Sequence, residues 1–155
     1  MRRQDREVLQ PEQIDAIIES CDCLRLGLNA EDGAYIVPLN FAYVPGKHAK
    51  FYFHSAKEGR KVDMIGQGAK AGFELDGAHR LGEAETGCRH TFFYQSVIGT
   101  GTVRPVETLE EKKRALSAIM AHYRKDCAFS FTDEQADAVA VFCLTAETMS
   151  CKQHS

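Results

Sequence analysis

Strand-like segments joined by tight turns run through most of this sequence, and that order limits the possible folds more than any other feature. Apolar and polar residues alternate over 21–28, which is the period of a half-buried strand. The tetrapeptide AEDG at 30–33 and the Pro45–Gly46 pair are turn signals that end such segments. The same criteria predict six strands, at 21–28, 34–44, 50–54, 71–76, 91–106 and 138–145.

Helical patterning is less frequent than strand patterning. The segment 109–123 carries a broad apolar stripe at helical spacing, and shorter helices are predicted at 11–20, 57–66 and 132–136. Because the strands mostly follow one another directly, we expect a mainly β fold with flanking helices, an antiparallel barrel or sandwich, and not a βαβ repeat. The 155 residues are the size of one ordinary domain, so residues 1–155 are predicted to form a single domain.

The charge and composition exclude several classes of protein. A net charge of −3 argues against a nucleic-acid partner, because phosphate-tracking domains are usually basic. No apolar run approaches the roughly 18 residues that span a bilayer. The N-terminal MRRQDREVLQ lacks the apolar core of a signal peptide, so we expect a cytoplasmic protein with no membrane segment. The six cysteines contain no C-x-x-C pair, which predicts free thiols and no metal site.

The stretch FYFHSAKEGRKVDMIG, at 51–66, gathers positive charge where a strand ends and a helix is predicted to begin. Lys57, Arg60 and Lys61 would share one face of that helix, with Ser55 just before it. Such cations at a helix start favour a bound phosphate. The alternative is a solvated amphipathic helix whose basic side chains face water.

A second candidate segment is YIVPLNFAY, at 35–43. Pro38 lacks a backbone N–H, which predicts a sheet edge, a bulge or a strand end at this position. Asn40 offers both a donor and an acceptor, which would match a flat heteroaromatic ring with imide groups. Alternatively, Asn40 satisfies only a neighbouring strand or turn.

Together these segments resemble a known family. IVPLNF at 36–41, YFHSAKEGRKVD at 52–63 and YQSVIGTGTV at 94–103 are similar to the nitroimidazole-resistance proteins, as are the first eight residues and the helix at 109–123. These proteins belong to the pyridoxamine 5'-phosphate oxidase-like superfamily of flavin-binding split barrels. The resemblance implies a six-stranded antiparallel split β-barrel with flanking helices, and a homodimer with FMN in the groove between subunits.

The resemblance also implies roles for individual residues. The phosphate would be held by Ser55, Lys57, Arg60 and Lys61. The isoalloxazine ring would be lined by Val37, Pro38, Leu39 and Asn40, and approached from the partner subunit by Gln95, Ser96 and Val97. His54 would lie beside the flavin and face the substrate. It is the candidate proton donor, because its ordinary pKa lies near neutrality, or it only positions the ring; Tyr94 is a second candidate donor.

Three functions remain open at this stage. The first is an FMN-dependent oxidoreductase that acts on small molecules, with reduction of a nitroimidazole as the named example. The second is a true pyridoxamine 5'-phosphate oxidase, although the cations at 112–114 lie on an ordinary helix face. The third is a flavin or haem protein without turnover, with haem ligands drawn from His54, His79, His90 and His122. FAD is a possible replacement for FMN.

Three further features bear on the site. The loop predicted at 77–90 would shape the substrate pocket, and Cys88 lies in it. Gly99 and Gly101 indicate a bend or the close approach of another backbone, which the family resemblance assigns to a tight interface strand. Relatives often end in glycine–lysine; here Lys152 fits that pattern and the glycine is missing.

Overall fold

A computed structural model describes residues 3–155 and shows a mainly β fold built on one antiparallel sheet. The strands are β1 (Glu7–Val8), β2 (Leu24–Ala30), β3 (Gly33–Leu39), β4 (Ala42–Val44), β5 (Lys50–Ser55), β6 (Ala69–Gly82), β7 (Thr91–Pro105) and β8 (Ala140–His154). The helices are α1 (Pro11–Ser20), α2 (Arg60–Ile65), α3 (Leu109–Tyr123) and α4 (Asp133–Asp137). Short 3-10 turns at Gln4–Arg6 and Gly87–Arg89 complete the elements.

The order of the strands joins the two edges of the sheet through a very short connection. The path runs β3-β2-β6-β7-β8-β5-β4, with β1 added beside β8. β3 and β4 are therefore the two ends of the path, yet only Asn40 and Phe41 separate them in sequence. The sheet consequently curls into a barrel that is split at this point. Pro38 lies on β3, which pairs only with β2 among the described residues, so the predicted sheet edge is confirmed.

The interior of the barrel is apolar and the strands alternate as their sequence requires. On β2, for example, Leu24, Leu26 and Leu28 point inward and are buried. They join the phenylalanines of the other strands in the main core. A second, smaller core lies where α3 and α4 cover β8, around Leu116 and Val141. The described chain has no buried side chain that is polar or charged.

Gly99 and Gly101 allow the close approach that the sequence predicts. A Cβ on Gly99 would lie 2.3 Å from the ring of Phe73 and 2.4 Å from the carbonyl oxygen of Thr148. At Gly101 it would lie 2.2 Å from the carbonyl oxygen of Thr145. The neighbouring atoms belong to β6 and β8 of the same chain, so packing within one subunit is enough to explain both glycines.

The predicted strand set needs correction. Residues 3–155 form eight strands where six were predicted. The segment 34–44 is two strands, because the backbone leaves β3 after Leu39 and resumes pairing as β4 at Ala42. The polar stretch 77–90 is not all loop: β6 continues to Gly82, with an irregularity between Gly77 and Arg80.

Three other boundaries differ from the prediction. The last strand runs to His154 and pairs with β7 along its length, so the C-terminal segment belongs to the sheet. β2 begins at Leu24, after Cys21 and Cys23. The second helix begins at Arg60 and not at Lys57, because Gly59 has a φ of +122°, outside the helical region.

Within residues 3–155 no helix is both long and apolar enough to cross a membrane. All six cysteines are free, as predicted, and Cys88 and Cys127 are the exposed ones among them.

Candidate functional site

His54 lies near the end of β5, opposite Val141 of β8. Its side chain is exposed at one edge, although surrounding protein atoms partly desolvate the imidazole. That desolvation, together with the positive charge of Lys61, lowers the pKa of His54 from its ordinary 6.5. The two side chains therefore interact electrostatically. His54 is consequently held mainly in its neutral form at pH 7.

Lys61 differs from the other two cations of the predicted phosphate cluster. It is half-buried, burial lowers the pKa of its ammonium group, and no carboxylate among residues 3–155 forms a salt bridge with it. Lys57 reaches Asp137 of α4, with 3.2 Å between Nζ and the carboxylate. Arg60 contacts Asp32 in the β2–β3 turn at 2.6 Å and lies over the ring of Tyr35. The structure thus leaves Lys61 without a carboxylate partner, with its charge felt by His54, and engages the other two cations elsewhere.

Ser55 and the start of α2 supply less than the sequence pattern indicates. The Ser55 hydroxyl donates to the carbonyl oxygen of Ala56 at 2.7 Å, and Gly59 is the residue that caps the helix. With six residues, α2 is too short for a large dipole. Side-chain charge, and not the helix end, therefore dominates the attraction for an anion here.

Pro38, Leu39 and Asn40 form one wall of a cleft of about 250 Å³. The opposite wall is Asp22 and Cys23, which the sequence analysis did not select. Among the described residues, the Asn40 side chain makes no hydrogen bond, so its donor and acceptor are both available. The register that pairs Ala42 with Tyr52, if continued by two residues, sets Asn40 opposite His54. The cleft therefore lies towards the end of β5 that carries His54, although His54 itself does not line it.

Three of the predicted flavin-contacting residues turn their side chains inward. Val37 and Leu39 pack against the core of the barrel, and Val97 is completely buried. A ligand could therefore reach little of the Leu39 side chain and none of Val97, whereas Val37 is half-buried. Pro38 and Asn40, by contrast, are exposed.

Gln95, Ser96 and Val97 lie far from His54 within one chain. Both sites border β8, but His54 is opposite Val141 and Val97 is opposite Cys151. Ten residues of strand correspond to about 33 Å. One chain does not bring these residues together, so a shared site would require a second copy. Tyr94 lies at the same far end, where its hydroxyl accepts a hydrogen bond from Arg6 at 3.4 Å.

The other candidate haem ligands are each engaged in a different part of the fold. His79 contacts Asp76 at 3.0 Å, and Nδ1 of His90 lies 3.0 Å from the carbonyl oxygen of Thr86. Nε2 of His122 donates to the carbonyl oxygen of Cys21 at 2.8 Å. In the described part of the chain, no three His, Cys, Asp or Glu side chains are grouped to hold a metal ion.

An apolar groove of about 460 Å³ crosses the outer face of the sheet. Gly27 and Gly72 lie side by side in it, and Ile36 and Ile98 stand at its sides with 63% and 55% of their surface exposed. Large exposed apolar side chains around one groove usually mark a contact surface. This face was not predicted, because two isolated isoleucines carry no local signal in the sequence.

Comparison with known proteins identifies the relationship of the whole chain. The family model described as pyridoxamine 5'-phosphate oxidase matches residues 10–153. The chain belongs to this family. None of the curated proteins matches the sequence. A candidate 5-nitroimidazole antibiotic resistance protein from Bacteroides thetaiotaomicron is 30% identical, covering 95% of this chain and 86% of that one, with a TM-score of 0.80.

Other members of this fold bind redox cofactors. A FAD- and haem-binding protein from Mycobacterium smegmatis has a TM-score of 0.81 at 15% identity, covering 97% of this chain and 74% of that one. A flavocytochrome from Azotobacter vinelandii has a TM-score of 0.79 at 16% identity, covering 100% and 72%. At these identities the likeness establishes the fold alone. It confirms the predicted antiparallel split-barrel class with flanking helices.

Proposed function

We propose that this member of the pyridoxamine 5'-phosphate oxidase family is an FMN-dependent oxidoreductase that reduces small molecules, with nitroimidazoles as the substrate class to test. The observation that carries the proposal is Lys61. A partly buried ammonium group without a counter-ion is unfavourable in the free protein, and a bound phosphate would relieve that cost. FMN supplies such a phosphate on a flat redox-active ring.

The residues around Lys61 fit a phosphate group. Lys57 and Arg60 form exposed ion pairs, which solvent screens strongly, so both can exchange a carboxylate for a phosphate. Ser55 adds a hydroxyl group next to them. In this proposal Lys61 is the principal phosphate ligand, and the other three residues complete the set.

The cleft at the end of β3 would receive one side of the ring. Asn40 presents a free amide, and β3 ends there as a sheet edge with unpaired backbone groups. The volume of this cleft, about 250 Å³, is below the roughly 300–1,000 Å³ of small-molecule sites. The ring site is therefore incomplete on one chain, and Gln95 and Ser96 of a second copy would complete it.

When bound, FMN would supply the electron pairs for reduction of the substrate. The chain's own contribution is to bind, orient and provide protons. His54 is the proposed proton donor to the substrate. Its lowered pKa makes the imidazolium a stronger acid, but a scarcer one at pH 7, so turnover should increase as the pH is lowered towards that pKa.

We also propose that the protein is a homodimer that uses the outer groove between Ile36 and Ile98. A charged residue there would oppose burial of that face, so Ile98→Lys should give monomers and release the flavin. Val44 is also an exposed apolar residue, but it lies on β4 away from the groove, so Val44→Lys is the matched control. Light scattering of the two variants measures the effect; a dimeric Ile98→Lys variant would contradict this interface.

The cations on α3 do not favour a substrate phosphate site of the oxidase type. Lys113 contacts Asp133 at 2.6 Å and Arg114 contacts Glu110 at 3.3 Å. Lys112 donates to the carbonyl oxygen of Val139 at 3.3 Å. None of the three is a half-buried cation without a partner, as Lys61 is, so this helix face offers no comparable site for a second phosphate.

The first experiment is an absorption spectrum of the purified protein, with mass identification of any molecule that heat releases. Flavin bands and released FMN are expected; released FAD would change the cofactor, and a haem band would contradict the proposal. The second is turnover of a nitroimidazole with dithionite or a nicotinamide nucleotide as the electron source. His54→Gln should retain FMN and lose most of the turnover, whereas equal turnover would remove His54 from the mechanism.

A further inference from the structure

The cleft lined by Asp22, Cys23 and residues 38–40 exists because the β2–β3 ladder stops early. The two strands pair in register from Ala30–Gly33 to Leu24–Leu39. The same register, continued by two residues, would pair Asp22 with Phe41. That pairing is absent from the ladder, and the gap between the two segments is the cleft.

A side-chain hydroxyl occupies the position where the next backbone contact would form. The amide of Phe41 donates to the Tyr123 hydroxyl oxygen at 3.1 Å, and that hydroxyl donates to the carbonyl oxygen of Asp22 at 2.8 Å. One oxygen atom thus relays a hydrogen bond between the segments that carry the two walls. It satisfies both backbone groups while keeping them farther apart than a direct bond would.

The last turn of α3 holds this arrangement in place. His122, next to Tyr123, donates to the carbonyl oxygen of Cys21 at 2.8 Å, and its ring lies 4.4 Å from that of Phe41. The two aromatic rings of α3 also contact each other, with centroids 4.7 Å apart. The helix end is therefore fixed to both segments, and the hydroxyl has a defined position between them.

We propose that Tyr123 is a positioning residue that sets the width of the flavin-ring cleft by separating Asp22 from Phe41. This inference rests on the proposed function for the identity of the ligand. The spacing itself concerns only the chain and can be measured without flavin. Tyr123 does not touch the reacting atoms.

The thiol of Cys23 reports on the cleft because it lines one wall and is half-exposed. Cys88 and Cys127 would react first and are replaced by serine in the background protein. The remaining thiols, Cys21, Cys143 and Cys151, react slowly because burial raises the pKa of each, in two cases to about 11.

The experiment compares Tyr123→Phe with Tyr52→Phe in this background. Phenylalanine keeps the ring and removes the relay, leaving the Phe41 amide and the Asp22 carbonyl without their partner. The phenyl ring still separates the two walls but nothing ties them together, so Cys23 labelling in flavin-free protein should accelerate, by up to the roughly fivefold that loss of one such hydrogen bond corresponds to. Tyr52 donates to Glu111 at the other end of α3, so its replacement should leave the Cys23 rate unchanged.

The readouts separate this inference from the proposed function. Faster labelling confined to Cys23, faster exchange of the Phe41 amide and a shifted spectrum of bound FMN are expected for Tyr123→Phe. An unchanged Cys23 rate would overturn the inference even if FMN binding weakened. Equal acceleration at all four remaining thiols would overturn it too, since it would report loss of the fold. Faster Cys23 labelling in a protein that never binds FMN would support the spacing role and overturn the flavin site.

Discussion

Arg25 and Lys61 are both partly accessible cations on this protein, and their surroundings are opposite. Arg25, on the outer face of β2, contacts Glu74 at 2.9 Å and Asp76 at 2.5 Å. The hydrogen bonds to Asp76 and then to Glu74 raise the pKa of the guanidinium further above its ordinary value. Lys61 has no carboxylate partner within the described chain, and burial lowers its pKa.

The comparison shows how a structural charge differs from a binding charge. Arg25 is fully used by its own fold, because two strands supply the negative groups that it needs. Lys61 is held at a desolvated position and left without such groups. A protein gains no stability from that arrangement, so it is best explained by an anion that arrives from outside.

The largest effect is expected for Lys61→Met, which keeps the length of the side chain and removes the charge. Loss of one charge-assisted phosphate contact costs roughly 1.5–3 kcal/mol, so FMN affinity should fall about ten- to a hundredfold. Titration of the apoprotein with FMN measures it. Lys70→Met is the matched control, because that lysine is exposed and pairs with Glu147. Wild-type affinity in Lys61→Met would contradict the phosphate assignment.

Arg25→Met should affect stability more than cofactor affinity, because Arg25 borders the outer groove but belongs to no proposed phosphate or ring contact. Its side chain is 41% exposed, which limits the loss to about 1 kcal/mol in the free energy of unfolding, part of it repulsion between the two carboxylates left behind. Urea unfolding of the apoprotein is the measurement. The change in FMN affinity should be much smaller than for Lys61→Met. A loss of FMN affinity in Arg25→Met as large as in Lys61→Met would contradict the assignment of a binding role to Lys61 alone.

The contrast between the two cations was only partly predictable. The sequence predicted cations near His54, because charge density along a segment is local. It did not predict which of them would lack a counter-ion, since Asp32 and Asp137 come from distant parts of the chain. It also placed Lys57 in the helix, and the positive φ of Gly59 prevents that.

The fold was predictable where local chemistry decides it. Pro38 required an edge because it lacks an N–H, and Gly99 required close approach because it lacks a Cβ. The extensions of β6 and β8 were missed because these segments have no apolar alternation and are stabilised by pairing with β7. The Asp22–Cys23 wall was missed because it depends on Tyr123, about a hundred positions away.

The salt dependence of FMN affinity should differ between the wild-type protein and Lys61→Met. The attraction between Lys61 and a phosphate weakens as salt is added, because the site is open to solvent at one edge. FMN affinity of the wild-type protein should therefore fall several-fold between low and physiological salt. Lys61→Met should show a shallower dependence, measured by the same titration at each salt concentration. Parallel curves for the two proteins would mean that Lys61 does not contact the phosphate.

The smallest effect concerns the pH dependence that Lys61 imposes on its neighbour. The pKa of His54 is lowered in the folded protein from 6.5, so below pH 6.5 the unfolded state takes up the proton more readily than the folded state does. Wild-type stability, relative to His54→Gln, should therefore decrease as the pH falls through 6.5 to the folded-state pKa, and then level off. The difference should be less than about 1 kcal/mol, because the imidazole is accessible to solvent.

In the Lys61→Met background this pH-dependent difference should become smaller still, because one of the two causes of the pKa shift is removed. The measurement is thermal unfolding, above and below pH 6.5, of the flavin-free wild type, His54→Gln, Lys61→Met and the variant that carries both substitutions. An equal pH dependence with and without Lys61 would show that desolvation alone shifts the pKa of His54 and that the charge of Lys61 does not act on it.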